Sequence, residues 1–132
     1  MSASVNITSG VPQGSVLGPL LFTAYVSPIS RLIQNCGVGH YAYADDTTLL
    51  IKYDMASAFI DLLNRCTTEL SHWFMHNGFL LNSSKYEVMW TGTRSQLQGI
   101  LGCLPEIKIA SSVIKPSESL KILGVIFDPA LN

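Results

Sequence analysis

The chain has 132 residues, enough for one domain with a sizeable core. Hydrophobic residues make up 48% and charged residues only 13%, a balance that points to a core cut from something larger, with apolar surface normally covered by a neighbour. Eight Lys+Arg against nine Asp+Glu give a net charge of -1, without the basic excess of a free-standing nucleic-acid binder. The three cysteines, Cys36, Cys66 and Cys103, include no CxxC pair. That argues against a disulfide framework or a zinc knuckle and fits a reducing, intracellular compartment, with nothing to separate nucleus from cytoplasm. No secretory leader is read at Met1, and no membrane partner is expected. The longest apolar run, Val16 to Val26, is interrupted by Gly18 and Pro19 and is too short to span a bilayer.

In chain order, residues 4–8 read as a weak strand. "SGVPQGSVLGP", residues 9–19, is dense in Gly and Pro and reads as a specified loop. Pro19 suits the first turn of a helix, where a missing N–H costs nothing. Apolar residues from Leu17 to Ile33 follow at helical spacing, Pro28 should bend or break the helix, and Gly37 should close it. "GHYAYA" and "TTLLIKY" flank Asp45-Asp46 and predict a buried hairpin. Asp54 can cap a second long helix whose broad apolar face includes Phe59, Leu63, Cys66, Leu70, Trp73 and Phe74, with Asn77-Gly78 ending it. A strand is predicted at about residues 86–91, a loop or short irregular helix over 92–104, and two or three short strands over 106–128, with turns at Ser111-Ser112 and Pro116-Ser117. The order is α+β.

The Asp45-Asp46 pair carries the chemistry. An isolated Asp pair is an ordinary turn-former. At the tip of a buried hairpin, two carboxylates need a compensating charge or a retained proton. A divalent cation supplies that charge, and hard oxygen donors suit Mg²⁺. Successive side chains on a regular strand face opposite ways, so one Asp should be the main ligand. Asp45 is assigned that part, with Asp46 as an auxiliary ligand or turn-former. His72 and His76, four apart on the second long helix, have a spacing that can bind zinc. No Glu follows His72 and no third ligand is evident, so no zinc site is expected there. Trp73 and Phe74 lie on the apolar helix face and read as core residues rather than a base-stacking platform.

"YADD" at 43–46, preceded by "SGVPQGSVLGPLLF" at 9–22 and followed by "LNSSKYEV" at 81–88 and "LKILGVIFD" at 120–128, resembles a reverse transcriptase of the non-LTR, LINE-like retrotransposon type. The resemblance runs from Ser9 to Asp128, with four motifs in the family's order. It implies an RNA-directed DNA polymerase, with two Mg²⁺ ions held by Asp45 and Asp46 in the intact family site, and RNA template, DNA primer and dNTP as partners. It implies that Pro12, Gln13, Gly14 and Tyr43 lie along the template base and incoming nucleotide. Gly10 and Gly14 would allow close backbone approach, and Gln13 can make amide hydrogen bonds. Lys85 would assist departure of pyrophosphate, as proton donor or electrostatic partner. Leu123 and Gly124 would grip the primer end, although the same pair reads equally as a glycine bulge in a buried strand. Tyr86 stands where the family usually has Thr.

The implied fold is a partial polymerase palm: a ferredoxin-like sheet with a central metal-binding hairpin and helices on one face. Residues 1–132 would form a single partial domain, with a palm core over about 9–91 and primer-grip-like strands over about 105–128. The family carries a further catalytic aspartate on a strand upstream of the nucleotide loop, and no acidic residue precedes Asp45 here. The expectation is therefore the C-terminal part of a palm, lacking the first catalytic strand, inactive alone and prone to self-association through an exposed sheet edge. The alternatives are a non-enzymatic truncated relic, a nucleic-acid-binding module that keeps the palm fold, or a subunit completed in trans.

Overall fold

The computed structural model describes residues 10–52, 58–100, 107–109 and 112–130. The chain divides into two compact units, Met1–Ile51 and Lys52–Asn132. The readings at residues 4–8, at the Asp54 cap and at Ser111 lie outside the described residues. The described elements are helices and small antiparallel sheets, an α+β composition.

The first unit opens with the Gly/Pro loop. The Ser15 N–H donates to the Pro12 carbonyl at 3.1 Å, closing a turn whose third residue, Gly14, has φ 85°. This is the type II pattern, in which a side chain at that position would be strained. A Cβ added at Gly14 would meet nothing within 4 Å, so the glycine serves the turn rather than a close approach within this chain. Helix α1, Gly18–Val26, follows, with Pro19 in its first turn. Helix α2, Pro28–Asn35, begins after the single residue Ser27. Pro28 has no N–H to offer the Ala24 carbonyl. The Ser27 hydroxyl donates to that oxygen instead, at 2.8 Å, so the expected break is satisfied locally.

Helix α2 buries Ile29 and Ile33, one turn apart, and packs on strand β1, Gly39–Tyr43. It ends as Gly37 predicts. Gly37, at φ 78°, donates to Gln34 O at 2.9 Å, and Val38 donates to Ile33 O at 3.4 Å. This pair of bonds is a Schellman closure, and the two residues it joins, Ile33 and Val38, are both buried. Strand β1 pairs antiparallel with β2, Asp46–Leu50, in the register Tyr43↔Asp46 to Gly39↔Leu50.

In the second unit, helix α3, Ala58–His76, buries Phe59, Leu63, Cys66 and Leu70 of the face read from its spacing, and Thr67 beside them, while Leu62, Trp73 and Phe74 of that face are half-buried. The buried Thr67 hydroxyl donates to Leu63 O at 2.8 Å. The helix ends in a second Schellman closure: Gly78 at φ 76° donates to Met75 O, and Phe79 donates to Phe74 O at 2.8 Å. The Phe74 and Phe79 rings meet edge to face, with centroids 6.0 Å apart. Helix α4, Arg94–Ile100, gives the predicted irregular segment a definite form. Its start is a capping box: Thr93 N donates to Gln96 Oε1 at 2.9 Å and Gln96 N donates to Thr93 Oγ1 at 3.3 Å. Four short strands follow as two hairpins, β3 (Ile107–Ile109) with β4 (Ser112–Ile114), and β5 (Leu120–Ile122) with β6 (Val125–Phe127). Helix α3 packs on β3, whose Ile107 and Ile109 are buried together with Ile114 of β4.

Three expectations change. The segment 86–91 forms no ladder. Within it the Val88 carbonyl accepts from Ser117 N at 2.7 Å, and the neighbouring residue, Pro116, has no N–H to extend the pairing. The described strands pair as three separate two-stranded sheets, so the continuous ferredoxin-like sheet is not assembled among them. The β1–β2 hairpin, expected to be buried, is largely exposed, with Tyr41 at 71% and Tyr43 at 67% accessibility. Its ladder is intact, but only the His40↔Leu49 and Thr48 positions are half-buried.

Candidate active site

The hairpin is built around a two-residue connection, Ala44-Asp45, between the paired residues Tyr43 and Asp46. Ala44 has φ 51°, a left-handed conformation that costs an L-residue roughly 1–2 kcal/mol. Two-residue hairpin turns require positive φ at their first position because only then does the turn's twist match that of the strands. The strain is therefore a consequence of reversing the chain in two residues. It leaves Asp45 at the turn and Asp46 as the first residue of β2.

Cross-strand pairing puts Asp46 beside Tyr43, and alternation adds Tyr41 and Thr48 to the same face. Both carboxylates are exposed. Water therefore solvates them, and burial creates no need for a counter-charge at this hairpin. The donor set itself still fits Mg²⁺: two adjacent hard carboxylates, open to solvent. That ion keeps several waters and takes one or two carboxylates along with substrate phosphates. Among the described residues, no group of three His, Cys, Asp or Glu could hold a metal ion.

The remaining candidates fall in both units. Pro12, Gln13 and Gly14 form the exposed type II turn of the first unit, with Gln13 at its corner. In the second unit, Lys85 ends a 3₁₀ turn, Ser83–Lys85. Asn82 starts that turn, its Oδ1 accepting from Ser84 N at 3.1 Å and from Ser84 Oγ at 2.7 Å. The Lys85 side chain is exposed. Leu123 and Gly124 are the two turn residues between β5 and β6, with φ 49° and 85°. They form a type I′ turn rather than a bulge inside a strand. Within the candidate set, the contact that the geometry establishes is Tyr43 with Asp46. The pairing register that creates it could not be read from the apolar pattern alone. On α3, the His76 ring bonds through Nδ1 to the His72 carbonyl at 2.8 Å. Trp73 and Phe74 are half-buried and meet edge to face at 5.3 Å.

Residues 2–127 match the family model described as "Reverse transcriptase (RNA-dependent DNA polymerase)", and the chain belongs to that family. Its similar relatives are of the non-LTR type. It is 28% identical to the RNA-directed DNA polymerase from mobile element jockey of Drosophila melanogaster and 30% identical to that of Drosophila funebris. Each comparison covers 96% of this chain and 14% of the relative. It is 26% identical to the putative 115 kDa protein in type-1 retrotransposable element R1DM of Drosophila melanogaster, over 94% of this chain and 12% of the relative. The chain thus spans about one-seventh of the length of the jockey polymerases it matches. No solved structure matches the chain significantly.

Proposed function

We propose that the chain is part of the palm of an RNA-directed DNA polymerase, and that the Asp45-Asp46 hairpin is its metal-binding element. The observation that carries this reading is the two-residue reversal, which presents adjacent solvent-accessible carboxylates at one end of an intact ladder. Bound Mg²⁺ would supply activation of a primer hydroxyl and neutralisation of charge at the departing pyrophosphate. Asp45 would be the main ligand and Asp46 the auxiliary one. Pro12, Gln13, Gly14 and Tyr43 would contact the template base and incoming dNTP, Lys85 would stabilise the leaving pyrophosphate, and Leu123-Gly124 would hold the primer end.

No Asp or Glu precedes Asp45 in the sequence. A third metal-binding carboxylate on an upstream strand would therefore have to come from beyond these 132 residues. The second reading is a non-enzymatic relic or a nucleic-acid-binding module with a retained palm fold. Extension of a DNA primer on an RNA template, with dNTPs and Mg²⁺, separates the two. The 132 residues alone should give no product. The same residues, within a polypeptide that includes an upstream acidic strand, should extend the primer, and Asp45→Asn should abolish extension. Extension by the short chain, lost in Asp45→Asn, would overturn the need for a third carboxylate. Extension by the longer polypeptide that Asp45→Asn leaves untouched would overturn the site assignment.

A further inference from the structure

We propose that His72 and His76 form a two-imidazole surface site for a borderline divalent cation such as Zn²⁺ or Ni²⁺. Both side chains are exposed and stand one turn apart on α3. That spacing puts their Cβ atoms about 5–6 Å apart, within the span of one metal ion bound by two rings. The sequence supplies only the spacing; the structure adds the protonation pattern. A backbone carbonyl can only accept, so the 2.8 Å contact between His76 Nδ1 and His72 O requires the proton on Nδ1. The lone pair of the neutral ring is then on Nε2, away from the helix backbone. Histidines that bind metals commonly have their other ring N–H fixed on an oxygen in this way.

Two further features favour a cation here. His76 lies in the last turn of a 19-residue helix, where the carbonyl ends carry partial negative charge. Glu69 stands three residues before His72, also exposed, and adds negative charge along the same stripe. Among the described residues no third His, Cys, Asp or Glu completes the set. The other coordination positions are therefore taken by water or by a donor from another molecule, and the site is open rather than structural. Imidazole ligands select Zn²⁺ and Ni²⁺ over Mg²⁺, so this site and the carboxylate hairpin answer to different ions.

The test uses the untagged full chain on an immobilised Zn²⁺ column. Eluting the wild type should take several-fold more imidazole than eluting His72→Ala or His76→Ala. His40→Ala should elute with the wild type. Both α3 positions are exposed, and far-UV circular dichroism checks that the helix persists. In solution, equimolar Zn²⁺ should raise the thermal midpoint of the wild type and leave that of His72→Ala unchanged. Elution that is unchanged in both α3 variants, or an equal loss in His40→Ala, would overturn the proposal.

Discussion

At the scale of single residues, the strained and desolvated positions can be separated by cause. Ala44 and Leu123 hold positive φ because each sits in a two-residue hairpin turn. Tyr86 is different. Burial pushes its phenol above the ordinary value of 10.0, because the charged form would lose hydration. The folded state therefore keeps its proton to higher pH than the unfolded chain. The contribution to stability is fully present below about pH 10 and is lost as pH rises through the higher folded-state value. Urea midpoints measured between about pH 9 and 11 should fall more steeply for the wild type than for Tyr86→Phe. Parallel curves would mean that the phenol is as well hydrated in the folded chain as in the unfolded one.

At the scale of elements, the local signals that act through the backbone were the legible ones. Gly37 and Gly78 each end a helix by the same pair of bonds, and Pro28 splits the first helical run where its missing N–H demands. The β5–β6 hairpin tests how strictly a turn imposes its own chemistry. A type I′ turn favours Asn-Gly, and this chain has Leu123-Gly124, with Leu123 mostly exposed. Leu123→Asn should raise stability by about 1 kcal/mol in chemical denaturation, because Asn tolerates the left-handed region and little burial is lost. A loss of stability would show that the Leu123 side chain has a packing role.

What the sequence hid depended on partners distant in the chain. Residues 86–91 have the alternation of a strand, but a ladder also needs consecutive donors on a neighbour, and Pro116 supplies none. The burial of the β1–β2 hairpin was inferred from its apolar residues, yet Tyr41 and Tyr43 face outward, because alternation fixes which residues share a face and not whether that face is covered. The capping box Thr93-x-x-Gln96 was present in the sequence and would have given α4 its start. For the candidate site, the Asp pair and its hairpin were legible from residue type and pattern. The pairing of Tyr43 with Asp46, and the solvent exposure of both carboxylates, required the register and the packing.

At the scale of the whole molecule, charge is unevenly spread. Arg31, Asp45 and Asp46 are the only charged side chains in residues 1–51. In that stretch Val16 is 95% and Leu20 66% exposed, and helix α1 buries none of its residues. A helix that is apolar on every side is ordinarily buried. Among the described residues, β1 and β2 pair only with each other, so backbone groups on the outer edge of each strand remain open. Uncharged edges and apolar patches of this kind invite association. At micromolar concentration the isolated chain should sediment as oligomers or aggregate, and an upstream strand segment, fused or added as a peptide, should restore a monomer. A monodisperse, cooperatively unfolding monomer without that segment would contradict the open-sheet account. The central claim, that Asp45 and Asp46 are a metal-binding pair, is tested most directly by calorimetric titration with Mn²⁺. The account predicts weak binding to the wild-type chain, lost when both residues are replaced by Asn; identical Mn²⁺ binding by the Asp45→Asn, Asp46→Asn double variant would contradict it.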